Sequence, residues 1–160
     1  IASMDTSIKK IAGILIKKAS KFSDIKSLDT PYIVDLGIGI PIKFVPDMLT
    51  EHEIVENKLT GGYYDHDMIG RQKQGTLYFA GIKQLFGISL PVIYQIFNHK
   101  NKTAKLYKLE KTDKDTQELI EWIKGTLLLI KQCYDSKLWD VGKHGRYDCD
   151  LSFACPLKTT

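Results

Sequence analysis

The sequence predicts an α/β fold in which a mixed β-sheet of about five strands is flanked by helices. Segments with apolar residues at helical spacing alternate along the chain with segments rich in β-branched and aromatic residues. The chain has 160 residues, of which 43% are hydrophobic, enough for one core that buries about 68–70% of the unfolded surface. We therefore expect a single domain over residues 1–160, with a less regular tail over residues 139–160.

The elements are predicted in the order helix, three strands, helix, two strands, helix. An apolar stripe at helical spacing indicates the first helix, over residues 6–22. The strands are predicted over residues 32–36, 40–48, 53–60, 92–98 and 104–109, and the later helices over residues 67–86 and 116–134. Gly87 and Pro91 end the second helix, and Asp113 or Asp115 is expected to cap the third.

Charge and hydropathy narrow the class of protein. The 23 basic and 19 acidic residues give a net charge of +4, which agrees with a nucleic-acid partner but is also common in proteins without one. Nowhere do about 18 apolar residues follow one another, so neither a membrane span nor a membrane partner is expected. The apolar patch over residues 11–16 is short and followed by lysines, unlike a secretory signal. The expected location is the cytoplasm.

Two acidic residues are predicted to face each other on paired strands. The segments 42–48 and 54–59 are rich in β-forming residues, and the polar residues between them indicate a tight antiparallel connection. If Glu51 and His52 form a two-residue loop, counting outward places Asp47 directly opposite Glu56. Their Cβ atoms would then lie about 4.5–5.5 Å apart.

Two carboxylates at that distance repel each other unless a proton or a cation lies between them. Oxygen ligands favour Mg²⁺ or Mn²⁺. Asp47 and Glu56 are the expected metal ligands and, with Lys58 on the same face, the expected catalytic residues. Asn57 points away and offers its backbone carbonyl. A metal-bound water would attack a phosphodiester, with Lys58 orienting it. The alternative interpretation is an exposed cross-strand acid pair beside a surface lysine.

A second group of polar residues begins the helix that follows. Gln74 and Tyr78 are four residues apart and therefore share a helical face. With the basic residues Arg71 and Lys73 beside them, they suit a sugar-phosphate strand that crosses the site. These four residues are the predicted DNA contacts.

The sequence resembles the RecB-type branch of the PD-(D/E)xK nucleases, which includes CRISPR-associated exonucleases and helicase-linked nuclease domains. The resemblance covers residues 33–97 and rests on three motifs: PD at Pro46-Asp47, ExK at Glu56-Asn57-Lys58, and QxxxY from Gln74 to Tyr78. It implies a restriction-endonuclease-like sandwich and a DNA exonuclease that uses Mg²⁺ or Mn²⁺. The implied substrates are single-stranded DNA or duplex ends, and the implied partner is a larger nuclease–helicase or CRISPR assembly.

One departure from the family pattern leaves the function open. Many members supply a further His or Glu ligand from a preceding helix, and residues 1–50 contain neither type. Asp24, Asp29 and Asp35 are the nearest substitutes. A nucleic-acid-binding module that keeps the fold without full activity is therefore an alternative, as is an interaction domain with coincidental motifs.

The three cysteines, Cys133, Cys149 and Cys155, allow several interpretations. Some members of the resembled family hold a four-iron cluster with one early and three late cysteines, but the early cysteine is absent here, so such a site is incomplete. Zinc bound by the three cysteines and His144 is chemically reasonable. Reduced, partly buried thiols are the leading interpretation in a cytoplasmic protein.

Overall fold

The computed structural model describes residues 22–136 and five helical positions before them, at residues 9, 10, 13, 14 and 17. The chain divides into two compact units, Ile1–Trp122 and Ile123–Thr160. Of the second unit only residues 123–136 are described, so the predicted tail over 139–160 lies outside the described residues and the single domain stays a prediction. Most of the first predicted helix, over 6–22, also lies outside them.

The described chain contains seven strands and three helices after residue 22. The strands are β1 (Ile25–Leu28), β2 (Tyr32–Val34), β3 (Ile42–Phe44), β4 (Met48–Thr50), β5 (Ile54–Thr60), β6 (Val92–Asn98) and β7 (Thr103–Leu109). The helices are α1 (His66–Gly70), α2 (Lys73–Phe86) and α3 (Asp113–Ser136).

A five-stranded mixed sheet in the order β1-β4-β5-β6-β7 forms the centre of the fold. Among the strands of the described residues only the β5–β6 pair is parallel, and α1 and α2 connect these two strands. The strands β2 and β3 form a separate antiparallel pair. The predicted class, an α/β sandwich around a mixed five-stranded sheet, is confirmed.

The connection between β4 and β5 is the predicted tight hairpin. Met48 pairs with Val55 and Leu49 with Ile54, and the Thr50 N–H donates to the Glu53 carbonyl at 3.0 Å. The Thr50 hydroxyl accepts from the backbone N–H of Glu53 at 3.0 Å. The hairpin therefore fixes the register that the sequence predicted.

The single strand predicted over residues 40–48 is wrong, because the chain breaks at Val45–Asp47 and β3 and β4 enter different sheets. Pro46 lacks the N–H that a continuous ladder needs. The sequence prediction also missed β1, which pairs with β4 and joins the five-stranded sheet.

The helix predicted over residues 67–86 is two helices. Asp65 caps α1 by accepting from the Met68 N–H at 2.7 Å, and α2 starts after Gln72. Gly87 ends α2 with φ +71°, as predicted. The helix α3 begins at Asp113, where the Thr112 hydroxyl accepts from the Asp115 N–H at 3.3 Å. None of the helices in the described residues is long and apolar enough to cross a membrane.

Two glycines let α2 pack closely against the strands. A Cβ on Gly81 would lie 2.4 Å from the Phe44 ring, and a Cβ on Gly75 would lie 2.9 Å from the Tyr94 hydroxyl oxygen. Glycine costs about 1 kcal/mol relative to alanine inside a helix, and here close packing offsets that cost. The helix carries the side chains of its first two turns onto β5 as a result.

Candidate active site

The structure places Asp47 and Glu56 at the open end of the β4–β5 hairpin, each one residue beyond the Met48–Val55 pair. The Asp47 Oδ2 atom accepts from the Asn57 N–H at 2.6 Å. Glu56 is only 5% exposed. Both carboxylates lie close enough to Tyr78 to raise the pKa of its hydroxyl. The role of the two acids as metal ligands stays a prediction.

A main-chain oxygen, the Asn57 carbonyl, lies beside these acids. The Asn57 N–H donates to the Asp47 carboxylate at 2.6 Å. Because the N–H and carbonyl of a strand residue point to the same side, this carbonyl lies on the Asp47 side of β5. This is the backbone oxygen predicted as a metal ligand.

Lys58 and Gln74 hold the Glu56 carboxylate. The Lys58 Nζ atom donates to Glu56 Oε1 at 2.6 Å and to Gln74 Oε1 at 2.7 Å. The Gln74 Nε2 atom donates to the same Glu56 oxygen at 2.9 Å. An ammonium and an amide thus fix the position of one carboxylate oxygen, and the half-buried Lys58 partly neutralises its charge.

Tyr78 completes this network from the second turn of α2. Its side chain is 3% exposed, and its hydroxyl accepts from Gln74 Nε2 at 2.7 Å. The same hydroxyl lies 2.9 Å from the Val45 carbonyl and 3.1 Å from Glu56 Oε2, and it can donate to one of them at a time. Burial and the negative charge of Glu56 raise the pKa of Tyr78 well above its usual range, so Tyr78 acts as a donor.

The two basic residues predicted to bind DNA lie at the entrance to α2. Arg71 is exposed and follows α1. The Nζ atom of exposed Lys73 lies 4.7 Å from the centre of the Trp122 ring, so the lysine already makes a cation–π contact. Their role toward DNA stays a prediction.

Tyr94 is a site neighbour that the sequence reasoning missed. It pairs with Glu56 across the parallel strands, is fully buried, and has a pKa that burial and the Glu56 charge raise. Its hydroxyl lies near the Gly75 backbone without hydrogen-bonding geometry, and it has no partner in the described part of the chain. A tyrosine inside a strand otherwise rich in apolar residues gave no signal for this position.

The oxygen atoms gathered here fit a hard divalent cation. Two carboxylates and a main-chain carbonyl from adjacent strands form the kind of ligand set that Mg²⁺ and Mn²⁺ prefer. Asp47, Glu56 and Asn57 would hold such an ion. A cation would compete with Lys58 for Glu56 Oε1.

Of the three candidates for a further upstream ligand, Asp29 lies beside Asp47, because its N–H donates to the Asp47 carbonyl at 3.1 Å, whereas Asp35 and Asp24 make other contacts. The Asp35 Oδ1 atom accepts from the N–H groups of Ile38 and Gly39 at 2.8 and 3.1 Å, so Asp35 stabilises a turn. Asp24 lies at the other end of the hairpin, where its carboxylate, that of Glu51 and the His52 ring bring ligand atoms within 4.8 Å of one another. All three are exposed, as expected for solvated loop residues.

Of the three cysteines, only Cys133 lies in the described part of the chain. Cys133 lies in α3 as a free thiol of intermediate exposure. Cys149, Cys155 and His144 lie outside the described residues, so the cluster and zinc interpretations stay predictions.

Comparison with known proteins supports the fold. A similar solved structure is the crystal structure of a "Putative exonuclease" from Eubacterium rectale, with a TM-score of 0.63 and 16% sequence identity. The match covers 94% of this chain and 62% of that chain, so the chain spans less than two thirds of the matched protein. No protein-family model and no curated protein matches this sequence. At this identity the likeness establishes a shared fold.

Proposed function

We propose that this chain is a nuclease that hydrolyses phosphodiester bonds in DNA with Mg²⁺ or Mn²⁺, and that it acts as an exonuclease of the RecB-type branch. One observation carries the proposal: the Asp47 carboxylate accepts from the Asn57 N–H at 2.6 Å, and the adjacent residue, Glu56, has its carboxylate 2.6 Å from the Lys58 amine. The shared fold with a structure named "Putative exonuclease" supports the class of reaction.

The residues divide the chemistry between them. Asp47, Glu56 and the Asn57 carbonyl would hold a divalent ion, and when bound that ion would supply a water of lowered pKa and positive charge beside the phosphate. Lys58 carries a positive charge beside Glu56, where it orients the attacking water or stabilises negative charge on the phosphate. The chain thus provides ligands and a cation within one small area of the sheet.

Gln74 and Tyr78 hydrogen-bond to Glu56 and are less available to a bound DNA strand. All the hydrogen bonds of the Gln74 amide described above go to Glu56, Lys58 and Tyr78. Tyr78 is too deeply buried to touch a bound polymer. We assign Tyr78 the role of positioning Glu56. Gln74 lies between the proposed metal ligands and the bound DNA strand. Arg71 and Lys73, both exposed at the start of α2, contact the phosphates.

Cleavage of end-labelled DNA tests the proposal. Single-stranded and duplex substrates are incubated with Mn²⁺, with Mg²⁺ and with EDTA, and binding is measured separately with Ca²⁺. Cleavage with Mn²⁺ or Mg²⁺ that EDTA abolishes, with mononucleotides released progressively from one end, is the expected result.

Other outcomes separate the alternatives. Binding in Ca²⁺ without cleavage in Mn²⁺ would favour the nucleic-acid-binding module. Neither binding nor cleavage would leave an interaction domain. Internal cuts in circular DNA would keep the nuclease and overturn the exonuclease.

A further inference from the structure

The loop after β5 presents an exposed aromatic ring beside the candidate active site. Residues 61–65 connect Thr60 to α1, at the end of β5 that carries Lys58. The Tyr63 side chain is 71% exposed, whereas its neighbour Tyr64 packs against the core. Adjacent tyrosines therefore have different roles, and only Tyr63 is available to a ligand.

The loop holds Tyr63 in place from both sides. The Gly62 carbonyl accepts from the Asn98 Nδ2 atom at 2.8 Å, and the Tyr64 carbonyl accepts from the Tyr107 hydroxyl at 2.9 Å. Side chains of β6 and β7 thus anchor the residues before and after Tyr63. An anchored ring loses less conformational entropy on binding than a mobile one.

A lysine lies beside this ring. The Lys105 Nζ atom lies 6.0 Å from the centre of the Tyr63 ring, and residues 92–109 include no acidic residue. Lys58 pairs with Ile96, and Ile96 pairs with Lys105, so both lysines lie on one face of the sheet. Two strand spacings separate them, about 9–10 Å. The ring and its lysine are therefore continuous with the site.

We infer that Tyr63 and Lys105 form a stacking platform for an unpaired base of a single-stranded nucleic acid whose backbone passes Lys58. The inference rests on the proposed function and specifies its substrate. An exposed tyrosine face stacks on any unpaired base, and a neighbouring lysine attracts the adjoining phosphate. Bases inside a duplex are already stacked on one another, so the platform selects a single strand or a frayed end.

Binding of a fluorescent oligothymidylate to the full chain in Ca²⁺, followed by fluorescence anisotropy, tests the platform. Tyr63→Ala and Lys105→Ala are each expected to weaken binding roughly tenfold, while Tyr63→Phe keeps the affinity. Leu59→Ala and Lys108→Ala are the matched controls, because these exposed side chains lie on the opposite face of β5 and β7. They are expected to change binding less than about twofold.

The outcomes separate this inference from the proposed function. If the parent chain cleaves DNA and Tyr63→Ala binds the oligothymidylate as tightly as the parent, the platform is overturned and the nuclease stands. Equal losses in Tyr63→Ala and Leu59→Ala also overturn it. If the parent binds without cleaving and Tyr63→Ala alone weakens binding, the platform stands and the nuclease fails. A parent that neither binds nor cleaves overturns both.

Discussion

The β4–β5 hairpin carries acidic residues at both of its ends, and the two ends differ in how firmly they are held. At the open end, Glu56 is 5% exposed and accepts from Lys58 and Gln74, and Asp47 accepts from the Asn57 N–H. At the loop end, Asp24, Glu51 and His52 bring ligand atoms within 4.8 Å of one another, yet all are exposed. Glu51 makes only a 3.8 Å ion pair with exposed Lys26.

The difference teaches that proximity of ligands does not make a site. Exposed acids are solvated by water and pay a large entropic cost to converge on an ion, whereas anchored acids are already in position. The open end also has an amine and an amide beside it, and the loop end lies at a solvated turn. We therefore expect substitutions at the open end to impair function and substitutions at the loop end to be tolerated.

The largest expected effect comes from neutralising the acids of the open end. Asp47→Asn and Glu56→Gln should each lower the rate of DNA cleavage at least about a thousandfold, because each removes a proposed metal ligand. Glu51→Gln and Asp24→Asn are the matched controls and should stay within about twofold of the parent rate. Initial rates on end-labelled DNA with Mn²⁺ give the comparison, and circular dichroism checks the fold. Equal losses at both ends would contradict it.

Metal affinity should divide the two ends in the same way. Titration calorimetry with Mn²⁺ is expected to show one ion bound to the parent and an affinity reduced about 10- to 100-fold in Asp47→Asn. Combining Asp24→Asn with Glu51→Gln should leave the binding isotherm unchanged. An isotherm that changes only in this loop-end variant would move the metal site to the loop end.

The local sequence pattern predicted the register of the β4–β5 hairpin, because a two-residue loop and the alternation of side chains are enough to set it. The pairs Met48 with Val55 and Leu49 with Ile54 could be predicted from the sequence for this reason. The break at Pro46 was missed because the apolar residues on either side mimic one strand. Strand β1, IKSL, has too little alternation to be recognised.

The support of Glu56 by Gln74 and Tyr78 could not be predicted in full. The spacing of Gln74 and Tyr78 showed that they share a helical face, but their partners depend on how α2 docks on the sheet. That docking depends on the absence of side chains at Gly75 and Gly81. A glycine within a helix indicates close packing only when the residues that contact it in the fold are known.

The packing of α2 on the sheet can be changed without substituting Asp47 or Glu56. Gly75→Ala would bring a methyl group to 2.9 Å from the Tyr94 hydroxyl, and should lower the unfolding free energy by about 1–2 kcal/mol, as overpacking usually does. Because Gln74 is the adjacent residue, the cleavage rate should also fall, by about tenfold. Gly70→Ala is the control, since a Cβ there meets nothing within 4 Å.

Tyr94→Phe should reverse the loss of stability and of cleavage rate that Gly75→Ala causes. Removing the hydroxyl takes away the atom that Gly75→Ala crowds, so the double variant should recover most of the lost stability and rate. Chemical denaturation and cleavage kinetics of the four proteins complete a double-mutant cycle. Additive effects would mean that Gly75 acts through something other than Tyr94.

The smallest expected effect is an alkaline loss of stability that originates at the open end. Burial, and next the charge of Glu56, raise the pKa of Tyr78 and of Tyr94 above the ordinary value of 10.0. In the unfolded chain these tyrosines ionise near that value, so above it the unfolded state holds fewer protons than the folded state. Stability is therefore fully present below about pH 10 and declines above it, by at most about 1.4 kcal/mol per pH unit for each group.

Thermal unfolding between pH 8 and pH 11 measures this decline. Tyr78→Phe should make the alkaline slope shallower, because it removes one of the two buried hydroxyls, although it should lower stability at neutral pH by about 1 kcal/mol through its lost hydrogen bonds. Tyr63→Phe, which removes an exposed hydroxyl, should leave the slope as it is. A slope that is unchanged in Tyr78→Phe would place the alkaline sensitivity elsewhere and weaken the distinction between the two ends of the hairpin.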